Sequence, residues 1–110
     1  MKVKLFVMLI ALFSMSFVKE ETKEVVIKTS SECGSCKVRI EEKLNYTKGI
    51  LFVNLDVSTK FLTVKYKESK ITLEKIKEII SNLGYDADDV KANQVSQKNL
   101  PACCQPNGMK

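Results

Sequence analysis

The chain has 110 residues, a length for one small domain, with 18 Lys and Arg against 13 Asp and Glu, four cysteines and no histidine. Its net charge of +5 is spread among acids, as in Glu41-Glu42-Lys43 and Lys77-Glu78, which describes a solvated surface and not a nucleic-acid footprint. With no histidine base, no paired-carboxylate site and no Gly-rich phosphate loop, catalysis on a small organic substrate is not expected.

The first predicted element is a leader. Met1-Lys-Val-Lys4 is followed by the apolar run Leu5 to Phe13 and by Ser14-Met15-Ser16, small residues two apart, the three parts of a secretory signal peptide over residues 1–16. Leu5 to Val18 is 14 residues, short of the ~20 that a bilayer needs, so no stable membrane span is expected once the leader is removed. Cleavage leaves 94 residues and takes away Lys2 and Lys4, lowering the net charge to +3. The protein is therefore expected in the periplasm or outside the cell, where thiols tend to oxidise. Residues 17–23 read as a linker.

Glu24 to Thr29 is a short β-rich run, broken by Ser30, Ser31 and Gly34. From Ser35 the pattern turns helical, with Ile40 and Leu44 an i, i+4 pair on one face, and Asn45 to Gly49 ends it. In Ile50 to Val57, Val53, Leu55 and Val57 alternate with polar residues, and Leu62, Val64 and Tyr66 do the same after Ser58-Thr59-Lys60, so the two runs read as a hairpin. Thr72 is a good N-cap for a second helix, whose Ile76, Ile79, Ile80 and Leu83 form one stripe and which Gly84 stops. Tyr85 to Lys91 is a last candidate strand, although Asp86, Asp88 and Asp89 lower its β propensity.

The order β-α-β-β-α-β over residues 24–91 is the ferredoxin-like split motif, an α+β fold with a four-stranded antiparallel sheet and two helices on one face. A core of this size is marginal, so a metal or a disulfide would add stability that matters. Residues 92–110 form a Cys-containing tail in which Asn93 caps a helical turn that Pro101 stops.

Cys33 and Cys36 sit at the first strand-to-helix turn, where the first helical N–H groups favour thiolate over thiol. Lys37 and Arg39 would add to that effect and Glu32 would oppose it. Two thiolates on a loop suit a thiophilic ion that must be passed on, whereas a closed structural zinc site needs four ligands. Cys103, Cys104 and any exposed methionine such as Met109 are the other soft donors. Adjacent Cα atoms are ~3.8 Å apart, less than the ~4.4–6.8 Å of a relaxed disulfide, so a plain structural bridge between these two is not expected.

Cys33-Gly34-Ser35-Cys36, Ile40-Glu41 with Leu44, Gly49-Ile50 with Val53-Asn54-Leu55, Leu62-Thr63-Val64-Lys65-Tyr66 and Gly84-Tyr85-Asp86-Ala87 together resemble the heavy-metal-associated domain over about residues 24–90. That family occurs in copper chaperones, in the N-terminal parts of metal-transporting P-type ATPases and in the periplasmic mercury-binding protein. The resemblance implies that Cys33 and Cys36 hold a soft metal ion, Cu(I) first, with Zn(II), Cd(II) or Hg(II) as the other fits. The partner it implies is a metal-donor or acceptor protein such as a transporter, met by a monomer. Two departures stand out. The family usually carries Gly-Met-Thr where this chain has Ser30-Ser31-Glu32, and Glu32 would offer an oxygen ligand to a harder ion. Tyr85 falls where the family places a residue beside the metal loop.

Cys103 and Cys104 lie outside that resemblance. Three uses are open for them: thiolates of an arm folded back onto the loop, partners of Cys33 and Cys36 in disulfides, or a tail pair of structural or incidental kind. For the whole chain, the expected function is carriage or sequestration of a soft ion by Cys33, Cys36, Cys103 and Cys104. The alternatives are a thiol–disulfide module in which Cys33 attacks and Cys36 resolves, and a disulfide-stapled partner-binding domain.

Overall fold

The computed structural model describes residues 21–105. The expected leader over 1–16, all of the linker but its last three residues, and residues 106–110 lie outside the described residues. The elements are β1 (Thr22–Lys28), α1 (Gly34–Asn45), β2 (Ile50–Leu55), β3 (Phe61–Lys67), α2 (Leu73–Leu83), the short α3 (Gln94–Lys98) and a 3₁₀ turn at Ala102–Cys104. Among the described residues no helix is long and apolar enough to cross a membrane.

The sheet is antiparallel in the order β1-β3-β2, with Val25 and Val53 flanking Val64 across the ladders. Alternation decides its faces. Leu62, Val64 and Tyr66 of β3 point inward with Val53, Leu55 and Ile27, while Phe52, Phe61 and Val26 remain exposed. Against the inner face pack Cys36, Ile40 and Leu44 of α1, at i, i+4 and i+8, and Ile76 and Ile80 of α2. Polar bonds fix α1 to the end of β2, because Glu41 Oε2 accepts from the Leu55 N–H at 2.8 Å and from Lys37 Nζ at 2.6 Å. Thr72 caps α2 through the Lys75 N–H at 3.2 Å, as its sequence position suggests.

The sheet has three strands among the described residues, and the expected fourth strand over Tyr85–Lys91 does not form. Ala87 makes a single bridge to Thr29, and then Ala87 and Val90 exchange backbone hydrogen bonds of 2.9 Å around the turn Asp88-Asp89. Asp88 takes a left-handed backbone at φ 52°, which aspartate tolerates better than most residues. It bonds twice to the last residue of β1: its N–H donates to Lys28 O at 2.8 Å, and its Oδ1 accepts from the Lys28 N–H at 2.8 Å. A side chain thus takes the place of the next rung of backbone, so the ladder stops after one residue.

Candidate metal centre

The loop after β1 is framed by hydroxyls. The Thr29 N–H donates to Lys60 O at 2.9 Å, the Thr29 and Ser31 hydroxyls lie 3.1 Å apart, and both residues are buried. Ser31, at the position where the family usually has Met, is fully buried in this frame. Cys33 follows as the N-cap of α1, with extended backbone and its carbonyl accepting from the Cys36 N–H at 3.0 Å. One turn into α1, Cys36 faces the core and is fully buried, and its sulfur accepts from the Glu32 N–H at 3.4 Å. The flanking charges are engaged elsewhere: Glu32 Oε1 pairs with Lys60 Nζ at 3.3 Å, and Lys37 Nζ is taken up by Glu41 and by Leu55 O at 2.9 Å.

The tail returns to this loop. Gly84 ends α2 in the left-handed region at φ 106°, the conformation glycine adopts without strain. Ser81 then anchors the outgoing chain twice, its Oγ donating to Lys91 O at 2.7 Å and its carbonyl accepting from the Asn93 N–H at 2.9 Å. Asn93 caps α3 by accepting from the Ser96 N–H at 3.1 Å, and Leu100 is buried in the main core. Pro101 ends the run, and the 3₁₀ turn lays Cys103 and Cys104 against the start of α1.

The structure therefore brings the four sequence-predicted thiols into contact. Cys33 Sγ is 2.9 Å from Cys103 Sγ, 3.6 Å from Cys36 Sγ and 3.7 Å from Cys104 Sγ, and Cys103 and Cys104 are 3.9 Å apart. All four are free thiols. The sulfurs of Cys33, Cys103 and Cys104 lie within 4.8 Å of one another; Glu32 is not in that group. Thiolates around one ion at ~2.3 Å would stand about 3.8–4.0 Å apart, so most of these separations already suit a shared soft ion. The donor set is sulfur alone, which selects Cu(I), Zn(II) and their thiophilic relatives over hard cations.

Burial divides the four. Cys36 and Cys104 are inside, whereas Cys33 and Cys103 are half-buried and open to a partner. The Cys33 thiol is brought down from 9.0 to about 6, first by its hydrogen bond with Cys103 and further by the backbone N–H groups of Cys36 and Ser35, against an opposing burial cost. Burial pushes the Cys104 thiol well above the ordinary range, and the neighbouring Cys36 adds to that. Tyr85 is fully buried beside the Cys104 and Cys36 sulfurs, and burial raises its phenol as well. Its hydroxyl makes no hydrogen bond, the one buried side-chain polar atom without a partner among the described residues. Sequence reasoning placed Tyr85 next to the loop but missed this hydroxyl and the Thr29–Ser31–Lys60 frame. Adjacent small hydroxyl residues between a strand and a C-x-x-C were the available signal for that frame.

The family described as the heavy-metal-associated domain matches residues 32–86, half of the chain. A copper-exporting P-type ATPase of Staphylococcus epidermidis is 34% identical over 67 residues, 61% of this chain and 8% of the ATPase. The chain thus spans only a small part of the length of that relative. The copper chaperone CopZ of Staphylococcus aureus is 28% identical over 65 residues, which are 59% of this chain and 96% of the chaperone. Among solved structures, oxidised MerP from Ralstonia metallidurans superposes with a TM-score of 0.59 at 17% identity, over 62% of this chain and 96% of that one, and so shares the fold.

Proposed function

The chain belongs to the heavy-metal-associated domain family, and we propose that it carries or sequesters a soft metal ion on Cys33, Cys36, Cys103 and Cys104. The observation that carries this reading is the meeting of Cys33 with Cys103 and Cys104, from opposite ends of the described chain, in an all-sulfur cluster. Cu(I) is the first candidate, because a sulfur-only donor set suits it and copper is named for the ATPase and the chaperone that the chain resembles. Zn(II), Cd(II) and Hg(II) are the alternatives.

Transfer proceeds by exchange of thiolate ligands, one at a time, with the thiolates of a donor or acceptor protein such as a metal transporter. Exchange begins at half-buried Cys33 and Cys103, while buried Cys36 and Cys104 keep hold of the ion. Each thiol gives its proton to solvent as it ligates. The protein works as an exported monomer, with export resting on the leader pattern of residues 1–16. N-terminal sequencing of protein recovered from cells tests that part; an intact Met1 in a cytosolic fraction would overturn it.

The central test is anaerobic titration of the reduced protein with Cu(I), Zn(II) and Hg(II) in competition with a small thiol. The expected result is retention of a soft ion by the wild type and its loss in Cys33→Ser/Cys36→Ser. No retention above the competitor would overturn the reading, and steady turnover in an insulin-reduction assay would favour thiol–disulfide exchange instead.

A further inference from the structure

We infer that the four thiols form two adjoining sites for monovalent soft ions that share the Cys33 sulfur. One site is the three-thiolate group Cys33, Cys103 and Cys104, and the other is held by Cys33 and Cys36. The inference rests on the proposed metal binding and deepens it: the chain takes two Cu(I) ions, not one.

The arrangement of the sulfurs carries it. A single four-coordinate ion would place all six sulfur pairs at about 3.8 Å. Here Cys33 is within 3.7 Å of each of the other three sulfurs, yet Cys36 stands outside the group that lies mutually within 4.8 Å. The four sulfurs are therefore an open array with Cys33 shared, and a thiolate sulfur has lone pairs enough to bridge two metals. Cu(I) accepts two or three thiolates, which are the numbers the two groups offer.

Charge points the same way. A single Cu(I) ligated by all four sulfurs would leave three uncompensated negative charges, two of the sulfurs being buried at Cys36 and Cys104. A buried charge needs a counter-charge or hydrogen bonds. The nearby cations do not supply one, because Lys37 is bonded to Glu41 and Leu55 O and Lys60 to Glu32. A second monovalent ion does. The unpartnered Tyr85 hydroxyl, buried beside the Cys36 and Cys104 sulfurs, adds a donor to the Glu32 N–H that already serves Cys36.

Native mass spectrometry of the reduced protein, titrated with Cu(I) under excess glutathione, tests this. Two Cu(I) on the monomer are expected, with one retained in Cys103→Ser/Cys104→Ser and one in Cys36→Ser. X-ray absorption of the two-copper wild type should show a short Cu–Cu vector. Saturation at one Cu(I) per monomer, or a second ion seen only on a dimer, would overturn the paired sites while leaving the proposed function intact. Two ions retained by the tail variant would also overturn them. No copper retained by the wild type would overturn both.

Discussion

Tyr85 holds a buried hydroxyl next to two sulfurs without a well-formed hydrogen bond to either, and an unsatisfied buried donor costs about 1–3 kcal/mol. Metal binding would turn Cys36 and Cys104 into thiolates, much stronger acceptors than thiols. Tyr85→Phe should therefore act in opposite directions on the two forms. The metal-free protein should melt at the same temperature or a few degrees higher, while the affinity for Cu(I) should fall by about tenfold, the loss of one hydrogen bond to a charged group. Calorimetry and a chelator competition check the pair; a parallel drop in both would mean that the ring only fills space. Cys33 yields a pH prediction. Its value is about 6 in the fold against 9.0 ordinarily, so its contribution to stability is complete above pH 9 and is lost as pH falls through 6. Alkylation of Cys33 in the metal-free protein should titrate near pH 6, and Cys103→Ala should move that midpoint upward, since Cys103 is the first cause of the shift. At this scale the sequence identified the thiols and the place of Tyr85. It could not reveal that Lys37 also reaches Leu55 O and that Glu32 is taken up by Lys60, because those partners come from other parts of the fold; the Lys37–Glu41 pair, four apart on α1, was open to reading.

Among the elements, the helices, the hairpin and their caps were legible because each is set by local chemistry: Thr72 and Gly84 at the two ends of α2, and alternation along β3 and from Val53 to Leu55 in β2. The fourth strand was misread because its residues allowed both a strand and a turn, and the choice is made by the Asp88 carboxylate meeting the Lys28 N–H across 60 residues. Gly84 has a second duty that its role as a helix stop conceals. A Cβ there would lie 3.0 Å from Gln97 N, from Leu100 Cδ1 and from the Ser96 carbonyl carbon, so the glycine is also the seat of α3. Gly84→Ala is expected to destabilise the fold by about 1 kcal/mol or more, from the left-handed backbone and the collision together. The displaced α3 should release the 3₁₀ turn, so that alkylation of buried Cys104 accelerates more than global unfolding explains. Unchanged protection of Cys104 in this variant would show that the turn docks independently of α3.

Over the whole molecule, the tail was the least legible part, since residues 92–110 have neither a hydrophobic period nor a length that compels a helix. Its placement depends on contacts that only the fold creates, namely Ser81 with Lys91 and Asn93, and Leu100 in the core. That placement has a thermodynamic consequence. An ion shared by Cys33 and Cys103 ties together residues 70 apart in sequence. Closing a loop of that length in the unfolded chain corresponds to as much as about 4 kcal/mol in the chain-entropy picture. A core this small has little stability to spare, so the metal should act as a staple as well as cargo. Cu(I) is therefore expected to raise the melting temperature of the wild type by many degrees, and to raise that of Cys103→Ser/Cys104→Ser much less, because Cys33 and Cys36 are neighbours in sequence and close almost no loop. Scanning calorimetry of the two proteins, metal-free and loaded, measures the difference. Equal shifts would place the ion on Cys33 and Cys36 alone and reduce the tail to packing.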